Sequence, residues 1–289
     1  MVFDYILEIA DIRIRMDTDI PLIVNKEFEP FLGENGQPDI TMQLRQTDAL
    51  PVVPVEVIYE GENYRIHPDG RGGQIRLFWN APRDLTPHAA ARRCDPDLVC
   101  VDYLEKGIPS VVQMNGSFFY MGIEELLIQR DRICFHAACV DTPLGGLLFT
   151  GRSGIGKSTQ AALWNRYRNA RQINGDRPIL AGTPEGWYAW GAPCAGSSDI
   201  YVNDCCAVSA IILLRQAKEC SLRRLDPGSA FRAVWAGLTV NSWDEHFVAK
   251  AIDLAMDIIE KIPVYEFACT PDEAAVDYLE RELRKDGCP

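Results

Sequence analysis

The feature that most constrains this chain is the octapeptide Gly151-Arg152-Ser153-Gly154-Ile155-Gly156-Lys157-Ser158, a full match to G-x-x-x-x-G-K-[ST]. Before it lies the apolar, glycine-bounded run 144–150, which reads as a buried strand. After it, residues 157–168 read as a helix with Ala161, Ala162, Leu163 and Trp164 as apolar positions. Strand, glycine loop and helix in this order make a phosphate cradle. Glycines let the loop curl so that backbone N–H groups converge on phosphate oxygens, and the helix N-terminus adds unsatisfied donors and the positive end of its dipole. The expected nucleotide contacts are Gly151, Arg152, Ser153, Gly154, Ile155, Gly156, Lys157, Ser158 and Thr159. Lys157 reaches the terminal phosphates and the Ser158 hydroxyl ligates Mg²⁺.

At 289 residues the chain is long enough for two domains. The hydrophobic share, 47%, is that of an ordinary water-soluble protein, and a formal charge of −12 argues against a nucleic-acid surface and against attraction to anionic membranes. Arg166, Arg168 and Arg171 read as the solvated end of the post-loop helix, with cations complementing its dipole. No run of about 18 apolar residues is present, and the N-terminus lacks a signal-peptide pattern, so a cytoplasmic location is expected. The ten cysteines contain no C-x-x-C pair and are expected to be free thiols.

Residues 1–104 read as a smaller, β-rich domain and 105–289 as a nucleotide-binding α/β domain. In the first, residues 5–15 alternate like a strand, 57–60 and 63–66 read as a hairpin, and 74–79 as a further strand. The polar, proline-bearing stretch 81–96 reads as a linker or exposed loop. In the second, 118–130 reads as a helix leading into a strand over 133–140. Farther on come an amphipathic helix over 245–261, a strand over 264–267 and a last helix capped by Thr270, with Pro271 in its first turn.

Phosphoryl transfer needs a carboxylate to complete the magnesium site and a base to address the nucleophile. Asp176, in Asn174-Gly175-Asp176 about twenty residues past the loop, is the candidate metal ligand; a turn is the other reading of those three residues.

Phe135-His136-Ala137-Ala138, the segment 148–164 across the loop, Ile173-Asn174-Gly175-Asp176, and 262–272 together resemble the HPr serine kinase-like proteins. The resemblance covers about residues 130–280 and leaves 1–104 unmatched. It implies a phosphoenolpyruvate carboxykinase-like P-loop fold with a curved mixed sheet, and it places His136 near the phosphates. In that family two consecutive aspartates follow the second strand, one near the acceptor hydroxyl and one serving the metal; here they are Gly175 and Asp176. The Arg-Gly-x-Gly signature is replaced by residues 191–200, which argues against HPr as the substrate. Within that segment Gly196, Ser197 and Ser198 are candidate donors. Asp199 and, just beyond the segment, Asp204 are carboxylates that could stand in for the missing base.

The expected function is an ATP-dependent kinase using ATP and Mg²⁺, with Lys157, Asp176 and His136 as catalytic residues and Ser158 and Asp176 as metal ligands. The acceptor is a hydroxyl on an unknown peptide, protein or small molecule. The alternative is a nucleotide-binding module that has lost transfer and acts in regulation or scaffolding. Assembly as a homo-oligomer is compatible with the β-rich half, which offers sheet edges.

Overall fold

The computed structural model describes residues 2–194 and 196–287, Ser197 by its backbone alone. It divides into two compact units, 1–126 and 127–289. The compositional change at 104/105 precedes this division, because short helices after residue 107 belong to the first unit.

Among the described residues the first unit holds an eight-stranded mixed sheet. Its strands are β1 (Phe3–Ile9), β2 (Ile12–Thr18), β3 (Ile40–Gln46), β4 (Tyr59–Glu60), β5 (Tyr64–Pro68), β6 (Gln74–Asn80), β7 (Asp84–Asp95) and β8 (Leu98–Tyr103), in the order β1-β2-β3-β8-β7-β6-β5-β4. Residues 5–15 are not one strand. They turn at Ala10 and Asp11, whose φ values of 51° and 60° make a two-residue hairpin turn without the glycine that would have announced it.

The stretch 81–96 is likewise no linker, since most of it is β7, with Ala89, Ala90 and Ala91 buried between β6 and β8. Alanine's weak strand preference and the flanking charges hide this strand from composition. Cys94 and Cys100 face each other across the β7–β8 hairpin as a disulfide, so the expectation of free thiols fails for this pair. The predicted helix 118–130 is broken at Gly122, whose φ of 61° ends α2 (Met114–Met121) before α3 (Ile123–Ile128) begins; α1 (Ile108–Val111) precedes them.

The second unit is built on a mixed sheet of nine strands among the described residues: β9 (Arg132–Cys134), β10 (Ala137–Thr142), β11 (Gly145–Thr150), β12 (Arg171–Asn174), β13 (Ile179–Thr183), β14 (Gly186–Trp190), β15 (Cys205–Gln216), β16 (Ser221–Arg224) and β17 (Val264–Cys269). Along β12-β10-β11-β15-β14-β13-β9, β15 uses its first part to pair antiparallel with β14 and its second part to pair parallel with β11 and β17. β9 and β10 stand far apart in that order, yet only Phe135 and His136 join them. The sheet must therefore curl until its far end returns to β10. The expected single strand 133–140 is two strands meeting at this corner.

Helices cover both faces. Alternation along β10 and β11 sends Ala138, Val140, Leu147 and Phe149 toward α4 (Lys157–Arg168) and α7 (Glu273–Lys285). It sends Cys139 and Leu148 toward α5 (Pro227–Trp235) and α6 (Glu245–Lys261). Asp272, a stronger cap than the expected Thr270, starts α7 by accepting from the Ala275 N–H, and Thr270 donates to the Asp272 carboxylate at 2.9 Å. Among the described residues no helix is long and apolar enough to cross a membrane.

Candidate functional site

β11 has its last five residues buried and is paired on both sides, by β10 and β15, so the chain leaves it at a fixed point. The loop that follows carries Gly151, Gly154 and Gly156 at φ values of 135°, 74° and 116°. At Gly154 and Gly156 a Cβ would meet nothing within 4 Å, so glycine is required there by backbone conformation and not by crowding. The helix that begins at Lys157 has no side-chain cap and no acidic residue in its first turn. Its leading N–H groups are left for an anion.

Lys157 is 7% exposed, and its ammonium donates back to the Gly151 carbonyl at 3.2 Å. Burial pulls its pKa down; the Asp176 carboxylate opposes this and the Arg177 guanidinium adds to it. Lys157, Asp176 and Arg177 therefore act on one another electrostatically.

His136 is set by its backbone. Its N–H donates to the Gly237 carbonyl at 2.7 Å and its carbonyl accepts from the Thr150 hydroxyl at 2.9 Å. Gly237 is needed for this approach, because a Cβ there would lie 2.4 Å from the Phe135 ring. The imidazole Nε2 lies 3.3 Å from Asp176 Oδ1. Burial lowers the His136 pKa, the Lys157 charge lowers it further, and Asp176 offsets part of this, which favours the neutral ring.

Asp176 is held in turn by Asn174, a wholly buried side chain at the end of β12. Asn174 Oδ1 accepts from the backbone N–H groups of Asp176 at 2.9 Å and Arg177 at 2.7 Å. Its amide donates to the carbonyls of Ala192 at 3.2 Å and Cys194 at 3.1 Å. The Asp176 carbonyl accepts from Ala137 N–H at 3.0 Å, which ties the turn to β10. Arg177 places its Nε 3.5 Å from Asp176 Oδ2 and donates to the Thr239 hydroxyl at 2.9 Å.

The structure thus brings His136, Lys157 and Asp176 together at the end of the glycine loop, with Ser158 exposed on the first turn of α4. It does not bring Asp204 to them. That carboxylate is paired with Arg171 at the other end of β12 from Asn174. Asp199 accepts from the Tyr201 hydroxyl at 3.0 Å. Gly196 lies against Asp176, where a Cβ would come within 3.0 Å of its Cβ and Cγ, and Ser198 Oγ accepts from the Ile200 N–H at 3.4 Å. Ala195 and the Ser197 side chain are outside the described residues. Gly175 is buried.

Among the described residues no group of three or more His, Cys, Asp or Glu side chains forms an all-protein metal site. Mg²⁺ in a phosphate site takes only one or two protein oxygens and fills its octahedron with phosphate and water, so the hydroxyl of Ser158 and the carboxylate of Asp176 fit its donor chemistry. Residues with roles not assigned from the sequence are Asn174, Arg177, Thr150 and Gly237. Of these Asn174 carried a local signal, as the first residue of an Asx-type turn.

No family model matches this chain, and no curated protein matches it. Among solved structures the chain is similar to the HPr(Ser) kinase/phosphatase from Coxiella burnetii, at 16% identity and a TM-score of 0.33, over 53% of this chain and 97% of that one.

Proposed function

We propose that the second unit is an ATP-dependent phosphotransferase of the HPr serine kinase-like type, with the phosphoenolpyruvate carboxykinase-like arrangement of its P-loop. The observation that carries this reading is the convergence of a buried lysine, a histidine and a carboxylate where an uncapped helix follows three left-handed glycines. Burial leaves Lys157 poorly solvated, and a triphosphate adds negative charge beyond that of Asp176. Loop amides and Lys157 hold the phosphates, and Ser158 and Asp176 hold Mg²⁺, which when bound neutralises phosphate charge.

The Asp176 carboxylate selects the Nε2–H form of His136, which leaves Nδ1 free to accept the proton of an acceptor hydroxyl. Asp176 then steadies the cation that forms. Most of the rate acceleration would come from positioning and electrostatics, so Gly175 in place of the family's first aspartate weakens the base without removing the means of transfer. Gly175 also favours the second reading, a nucleotide-binding module without transfer, because it offers no proton acceptor.

Isothermal titration with ATP and Mg²⁺, followed by release of γ-phosphate, tests both readings beside Lys157→Ala and Asp176→Ala. Binding that is lost in the Lys157 variant, with turnover in the parent, supports the kinase. Binding without turnover, unchanged by Gly175→Asp, supports the module. No binding refutes both.

A further inference from the structure

Two cavities open beside Gly151 and Arg152 and share them. One, of about 540 Å³, is lined by Ile155, Leu213, Leu214, Arg215 and Gln216. The other, of about 580 Å³, is reached by His136 and Thr150. In phosphoryl transfer the attacking and leaving oxygens lie roughly in line, so nucleoside and acceptor approach the γ-phosphorus from opposite sides. His136 marks the reacting end, which makes the 580 Å³ cavity the acceptor's side.

The wall of that cavity is cationic in a chain of net charge −12. Arg152, Arg223 and Arg232 line it, with Glu266 as the one carboxylate among its described lining residues. Glu266 is already neutralised. Its Oε2 accepts from Arg215 Nε at 2.9 Å and its Oε1 from Arg223 Nη2 at 3.1 Å. Arg232 donates to the Ser229 hydroxyl at 2.9 Å, and among the described residues no ion pair joins it or Arg152 to a carboxylate. The grouping is made by the fold: Arg223 stands on β16 opposite Glu266 of β17, while Ser229 and Arg232 come from α5. The guanidinium forks share this lining with the apolar Leu213, Leu225 and Ala233, and such forks match the paired oxygens of a carboxylate or phosphate.

Resting on the kinase reading above, we propose that this cavity binds the phosphoryl acceptor as a small molecule bearing both a hydroxyl and an oxyanion, the oxyanion on Arg223 and Arg232 and the hydroxyl at His136. The volume is that of a small-ligand site and not of a docking face for a folded protein. In the transfer, the acceptor oxygen bonds to the γ-phosphorus and the bond from that phosphorus to the bridging oxygen breaks. ADP leaves with the electron pair, and the hydroxyl proton passes to His136 Nδ1.

The test separates this proposal from the reading beneath it. Protein saturated with Mg²⁺ and the β,γ-imido analogue of ATP is titrated with inorganic phosphate, followed by ³¹P line broadening, and in a parallel arm with acetate. One of the two anions is expected to bind, phosphate marking a phosphorylated acceptor and acetate a carboxylic one. Arg223→Gln/Arg232→Gln should weaken that anion at least about tenfold, and Glu266→Gln, which frees Arg223, should tighten it. Analogue affinity should stay within about twofold in every variant, since neither arginine belongs to the loop. If the analogue binds while neither anion does, or the double variant leaves anion affinity unchanged, the acceptor proposal falls and the kinase reading stands. If the double variant loses the analogue in parallel, the arginines serve the nucleotide and the proposal is overturned. Failure of the parent to bind the analogue defeats the kinase reading and the acceptor role with it.

Discussion

Asn174 is the residue whose removal should disturb the site most without touching any ligand. In Asn174→Ala four hydrogen bonds disappear at once: two from the side-chain amide to Ala192 and Cys194, and two received from the Asp176 and Arg177 backbones. A hydrogen bond contributes about 1 kcal/mol net, and a buried group left without a partner costs about 1 to 3 kcal/mol. Asp176 and Arg177 are only half-buried, so water can reach their N–H groups, whereas the Ala192 carbonyl lies in a buried stretch. The expected loss is about 3 kcal/mol. Asn174→Asp keeps the two accepted bonds but turns a carboxylate toward two carbonyls, so it should be the more damaging variant at pH 7 and recover at pH 4, where the carboxyl is protonated and can donate.

Urea unfolding followed by tryptophan fluorescence is the assay. Five of the six tryptophans lie in the second unit, so the signal reports mainly on it even where the whole chain is not two-state. Titration with MgATP on the same samples should show weaker binding, because Asp176 is no longer held against His136. A midpoint change equivalent to less than about 0.5 kcal/mol, the scale of an ordinary surface substitution, would refute the reasoning that Asn174 holds this turn.

Lys157→Met should leave the nucleotide-free protein as stable as the parent or up to about 1 kcal/mol more stable, because it removes an amine that burial disfavours, while MgATP binding is lost; thermal melts with and without ATP check the two opposite signs. His136 has a folded pKa below its unfolded value of about 6.5. The unfolded chain therefore binds the extra proton first as pH falls, and parent stability should decline below about pH 6.5 by an amount that His136→Asn abolishes, read from urea midpoints at pH 7.5 and 5.5. Gly154→Ala places a side chain at φ 74° with no clash, so its cost should be the conformational one alone, about 1 kcal/mol, together with impaired phosphate binding, measured by the same unfolding and titration.

What the sequence disclosed depended on how far apart the interacting residues lie. The helix over 157–168 and the helix over 245–261 follow from local periodicity and appear with those limits. The glycine loop is a local device and is legible for the same reason. β7 was hidden because alanine buries well in a sheet without favouring one, and the turn at Ala10-Asp11 because left-handed residues other than glycine leave no mark. The corner at His136 could not be foreseen either, since its place is fixed by a backbone bond to Gly237, about a hundred residues on. The cationic cavity joins residues from β16, α5 and β17 with no shared motif.

The pairing of β11 on both sides also sets an order of assembly. Its β10 partner precedes it across a tight hairpin, but its other partner is the second part of β15, around residues 208–213, and β15 is itself flanked there by β17 at 264–269. α4 rests on α7 through Arg168, whose guanidinium meets Asp277 and Glu280. A chain emerging from the ribosome has therefore made its entire glycine loop more than a hundred residues before the last elements that brace it are available. Parallel pairings of such sequence separation close slowly. Under the proposed function, nucleotide can act as a template for this unit only at the end of folding, and a nascent chain halted near residue 220 should carry the loop in full and hold no ATP.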